Sequence, residues 1–130
     1  QDRTLGRMAW HLVTAIPEMS RRTGLATEGP EESAPVPATA AAIADTYGRV
    51  VASLEARIRE DWNDASLGIV DDMYGEKWAR AQTLEILIRH QIHHRGQMTV
   101  LMRQAGLKVP GVYGPSREEW AQFGQAAPAV

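Results

Sequence analysis

Apolar side chains recur at intervals of three and four along three stretches of this chain, and those stretches set the expected architecture. In the first, from about Asp2 to Arg22, Leu5, Met8, Leu12, Ala15 and Met19 form one stripe, as in an amphipathic helix with one face in a core. Pro17 removes a backbone donor and predicts a kink or a restart, and Gly24 is a natural stop. The second stretch runs from an N-cap at Thr39 to about Glu60, with Ile43, Tyr47, Val50, Val51, Leu54 and Ile58 on one face and Arg49, Glu55, Arg57 and Arg59 mostly elsewhere. It reads as a scaffold helix in which Tyr47 is the one polar group directed inward. The third runs from about Glu76 to Ala105, closed by Gly106 and Pro110. Leu84, Ile88 and Ile92 fall on a different side from Ile86, Leu87 and Leu101, so its middle is apolar nearly all round. Such a helix meets neighbours on two sides, which predicts a further helix or a second copy against it.

The connections are less regular. Residues 23–38 carry Gly29, Pro30, Pro35 and Pro37 among glutamates, which is loop chemistry; a solvated crossover is the simpler expectation, a cover over an active-site mouth the alternative. Asp61 to Gly75 shows no helical period and reads as an irregular connection with a short turn of helix. Asp64, Asp71 and Asp72 lack the ligand alternation, central glycine and closing glutamate of a calcium loop. After Gly106 a turn-rich segment leads to Ser116 and Glu119, spaced as a capping box for a short helix whose Trp120 and Phe123 should dock the tail on the bundle. No β-alternating run of useful length appears, so the fold class is all-α, in a single domain over residues 1–130.

Composition narrows the function. A formal net charge of -2 with dispersed basic residues lacks the cationic footprint of a nucleic-acid binder. No apolar run approaches the ~18 residues of a membrane span, and no signal-peptide pattern is present, which predicts a cytoplasmic protein without membrane partners. With no cysteine, any metal must sit on nitrogen and oxygen donors.

Histidine is where chemistry concentrates. Three of the four histidines, His90, His93 and His94, fall within five positions of the third helix, and the fourth, His11, borders the stripe of the first. His90 and His94 are four apart, so their rings leave successive turns on one face, together with Thr83, Leu87 and Gln97. A third nitrogen from His11 would complete a facial set with open positions, suited to zinc first and also to nickel, iron, cobalt or copper. The competing reading is that these histidines are hydrogen-bonded core or interface groups of a non-catalytic dimeric module. His93 is set off to the other side of His90 and has a structural or supporting role. Gln97 lies close enough in angle to orient a histidine or a bound water, Glu18 is the only carboxylate the wheel offers as a base, and Arg95 points away toward structural ion pairs. His90-Gln91-Ile92-His93-His94 has the spacing of the zincin metalloproteases, but Gln91 stands where that mechanism requires a glutamate base.

The run His90-Gln91-Ile92-His93-His94-Arg95-Gly96-Gln97, followed by Leu101, Arg103, Gly106 and Pro110, resembles the closing helix of DinB-like proteins, and Arg3 to His11 resembles the family helix that carries a first histidine. The resemblance implies a four-helix bundle, often dimeric, with a divalent metal on His11, His90 and His94. It also implies a helix ahead of the one bearing His11. Only three long helices are visible, so the fourth is expected from residues ahead of Gln1 or from another chain, unless the protein departs from the family. The activities implied are those of small-thiol-dependent S-transferases and isomerases, with a hydrolase as a related option; the cosubstrate would be a low-molecular-weight thiol beside a small-molecule substrate.

Overall fold

The structure, a computed structural model, describes residues 3–129. Three helices dominate: α1 (Leu5–Arg22), α2 (Ala40–Asp61) and α3 (Arg80–Gln104). α1 lies between the other two and is buried on most of its circumference, through Trp10, Val13, Ile16 and Met19 among others. The expected start at Asp2 lies outside the described residues; the helix begins at Leu5, where the Thr4 side chain accepts from the Arg7 amide. It continues through Pro17, so the expected restart does not occur. The hydroxyl of Ser20 donates to the carbonyl of Ile16 within the turn that follows.

α2 begins after Thr39, whose side chain accepts from Ala42 N. Tyr47 joins α2 to α3: its Oη donates to Gln91 Oε1 (3.3 Å) and accepts from Arg95 Nη2 (2.8 Å). Between α1, the start of α2 and the end of α3 runs an apolar groove of about 650 Å³, lined by Leu5, Ala9, Leu12, Ile43, Met98 and Met102 among others.

The 23–38 segment is not the solvated crossover expected of it. Leu25 and Thr27 are buried, Trp10 Nε1 donates to Ala34 O (3.0 Å), and the Arg21 guanidinium donates to the carbonyls of Thr27 and Gly29 (2.9 and 2.8 Å). At Gly29 the chain passes so close to α1 and α2 that a Cβ would stand 2.9 Å from both Pro17 Cγ and Val50 Cγ2.

The largest departure from the expected architecture is a β-hairpin, β1 (Val70–Met73) and β2 (Glu76–Ala79), which makes the fold predominantly but not wholly helical. α3 therefore starts at Arg80 and not near Glu76. The cause is local. Tyr74 (φ 61°) and Gly75 (φ 87°) both take positive φ, the geometry of a tight two-residue hairpin turn, and the Asp72 carboxylate accepts from Gly75 N (3.0 Å). Pairing of Asp72 with Lys77 and Met73 with Glu76 then claims the residues that a helix would have used. Arg80 fixes the hairpin to the start of α3: its amide donates to Ile69 O, and its Nε lies 2.9 Å from Asp71 Oδ2 in a largely buried ion pair.

α3 ends as expected. Gly106 adopts φ 70°, its amide donates to Arg103 O, and the next amide, of Leu107, reaches back to Met102 O. Only one side of α3 is covered, through Thr83, Leu87, Gln91 and His94; Ile88 (60%), Val100 (55%) and Ile92 (37%) are exposed on another. The tail makes a 3₁₀ turn at Trp120–Phe123 in place of a helix, and Phe123 is 60% exposed, so that ring does not dock it. Half of the expected capping box forms: the Glu119 carboxylate accepts from Ser116 N and also from Gly111 N, while the Ser116 hydroxyl has no partner.

Candidate functional site

His11 on α1 and His90 and His94 on α3 come together across the contact between the two helices. Their ligand atoms all lie within 4.8 Å of one another. His11 Nε2 is 3.0 Å from His90 Nε2, and His94 Nε2 is 3.1 Å from the same atom. The rings meet edge to face, with centroids 4.4–4.8 Å apart. Gln91, next to His90, sets this register: it is buried, and its Nε2 donates to the carbonyl of Leu12, next to His11 (2.9 Å). In the sequence Gln91 only excludes a protease; its position between two histidine-bearing helices depends on how they pack.

Proton placement shows what the cluster suits. His94 Nδ1 donates to Gln97 Oε1 (2.6 Å), so its Nε2 carries a bare lone pair. If His90 Nε2 holds a proton, it satisfies one neighbour and not the other. If it holds none, it faces the His94 lone pair directly. No assignment of neutral tautomers turns both short contacts into good hydrogen bonds, whereas one cation would satisfy all three nitrogens. Zinc at 2.0–2.1 Å from tetrahedral nitrogens sets them about 3.3 Å apart, close to the 3.0 and 3.1 Å of the two contacts to His90, while the full set spans up to 4.8 Å and would draw together around an ion.

Two of the rings, His11 and His90, are kept neutral. Burial, then the neighbouring His94 and His11, push His90 down to about 4. Burial first, then His94 and the Arg3 and Arg7 guanidiniums, lower His11. At neutral pH both therefore present lone pairs to a cation.

The other singled-out residues fall as follows. His93 is exposed, with its ring 4.9 Å from that of His94 and outside the convergent set. Arg95 donates to Tyr47 and forms no ion pair among the described residues, contrary to expectation. Glu18 lines a cavity of about 390 Å³ together with His11 and His90. There its carboxylate is held by Arg22 Nε (2.5 Å) and by the hydroxyl of Tyr74 (2.5 Å). Burial, reinforced by the Glu18 carboxylate, raises the Tyr74 phenol above its ordinary range. Glu32, Tyr74 and Trp78 also line this cavity, so the 23–38 segment does reach the mouth of the site. The hairpin contribution was missed because its signal is small: a Tyr-Gly pair between two four-residue strands, without the Asn-Gly or Asp-Gly that marks such turns.

Comparison with known proteins agrees with this picture. The model of the DinB family matches residues 1–128. A protein of Bacillus subtilis (strain 168), described as uncharacterized protein YrdA, is 48% identical over 130 residues, which are all of this chain and 78% of that protein. The crystal structure of a DinB-like protein from Bacillus cereus ATCC 10987 is similar with a TM-score of 0.81 and 51% identity, covering 85% of this chain and 73% of that one. Among the described residues, no helix is long and apolar enough to cross a membrane.

Proposed function

The chain belongs to the DinB family, and from that membership we propose that it is a divalent-metal-dependent enzyme whose ion, zinc in the first instance, is held by His11, His90 and His94. The observation that carries this reading is the convergence of three imidazoles whose two short Nε2 contacts no set of neutral tautomers satisfies. A bound divalent ion supplies Lewis acidity, which at neutral pH favours the deprotonated form of a coordinated thiol or water. Within the family we take the reaction to be transfer of a small thiol to an electrophilic substrate.

The chain's own residues do the rest. Gln97 holds His94 in the tautomer that leaves the Nε2 lone pair facing His90, where it would serve a bound ion, Gln91 fixes α3 against α1, and burial keeps His11 and His90 unprotonated. Hydrolysis is the second reading: Glu18 lines the same cavity as His11 and His90, and to act as its base the carboxylate would have to exchange Arg22 and Tyr74 for a substrate proton. The exposed Ile88, Ile92 and Val100 support a homodimer, and the apolar groove supports a fourth helix completing a bundle. We assign the protein to the cytoplasm as one domain.

Protein purified without a histidine tag is expected to contain near-stoichiometric divalent metal by elemental analysis, and His90→Ala and His94→Ala to lose it. Unchanged metal content in both variants would overturn the site.

A further inference from the structure

The β-hairpin supplies two aromatic side chains, Tyr74 and Trp78, to the cavity that His11 and His90 also line. Tyr74 is the one non-glycine residue with positive φ among the described residues, a costly conformation for a bulky side chain where asparagine or glycine would serve the turn. What the ring gains there is contact. Its hydroxyl is bonded to Glu18, the Arg22 guanidinium covers it at 4.3 Å, and the Trp78 ring stands edge-on at 5.9 Å. Trp78 is fixed in turn by donation from Nε1 to Glu76 Oε2 (2.7 Å) and by packing against the core. Met19 and Ile86 add apolar surface.

The charges in this cavity limit what can enter. Arg22 and Glu18 neutralise each other, which leaves the exposed Glu32 carboxylate in the lining to disfavour an anionic tail. A volume of about 390 Å³ accommodates a small organic group, and rings that meet edge to face favour a flat one.

Resting on the metal site proposed above, we infer that Tyr74 and Trp78 are specificity-determining residues, and that the substrate carries a flat, uncharged, preferably aromatic group into the hairpin-walled cavity while a small polar head meets the ion. The hairpin thus selects the substrate, and the helices hold the metal.

Two hydroxamates that differ only in the group attached to the chelating head provide the test. Zinc-loaded protein is titrated calorimetrically with benzohydroxamate and with acetohydroxamate, and the ratio of their dissociation constants is read. A preference of about tenfold for the aryl compound is expected, falling to near unity in Tyr74→Asn, which tolerates the positive φ and removes the ring, and in Trp78→Ala. Because Trp78 also packs on the core, the exposed turn position Tyr74 keeps the test decisive if Trp78→Ala fails to fold. Equal affinities in the unaltered protein, or a preference that Tyr74→Asn leaves intact, would overturn the inference while leaving the metal site standing. Binding of neither compound, together with metal content unchanged in His90→Ala, would overturn the metal site itself and this inference with it.

Discussion

His90 makes both short contacts of the cluster, and its protonation links the site to stability. In the unfolded chain it titrates near 6.5; in the folded protein burial and the neighbouring imidazoles hold it to about 4, with His11 lowered in the same sense. Between those values the unfolded state takes up protons that the folded state refuses, so folding weakens as pH falls through the window and its contribution is complete above about 6.5. Protein stripped of metal with a chelator is therefore expected to lose thermal stability on acidification from pH 6.5 toward 4, more steeply than His90→Gln. Melting curves at half-unit pH intervals check this, and parallel profiles for the two proteins would exclude His90 as the cause.

Among the elements, the 23–38 segment makes a structural demand that one substitution can test. Gly29→Ala would drive a methyl group against Pro17 and Val50, both buried between α1 and α2, and is expected to destabilise the fold by about 1–3 kcal/mol. Urea denaturation would show it as a lower midpoint at unchanged slope. The same segment marks how far the sequence could be read. The three helices followed from apolar periodicity, Thr39 and Gly106 from cap chemistry, and the spacing of His90 and His94 placed both rings on the covered side of α3. The packing of residues 23–38 was hidden because two of its anchors, Trp10 to Ala34 and Glu28 to Ser53, are long-range, and the nearer ones, Arg21 to the carbonyls of Thr27 and Gly29, are to backbone that no residue type marks. The hairpin was hidden because four-residue strands give too few alternations to compete with the helical pattern that follows, and the role of Gln91 because it depends on which carbonyl α1 offers opposite.

On the scale of the molecule, α3 has two faces in different surroundings. One carries Thr83, Leu87, Gln91 and His94 against α1; the other leaves Ile88, Ile92 and Val100 exposed in one row, with Gly96 between them offering no side chain. If that row pairs with its copy in a homodimer, Ile88→Lys combined with Ile92→Lys places like charges opposite each other and removes the apolar contact. Sedimentation is expected to shift from dimer to monomer with metal content unchanged, since neither residue reaches the histidine cluster. A monomeric unaltered protein would remove this assignment. The tie between α1 and α3 has a further consequence in terms of chain topology. His11 and His90 are 79 positions apart, and the chain has no cysteine with which to cross-link itself. On the proposed reading, the ion closes a loop spanning more than half the sequence and does the work of a staple: it restricts the unfolded chain as a disulfide would, and it is removable by a chelator where a disulfide requires a reductant.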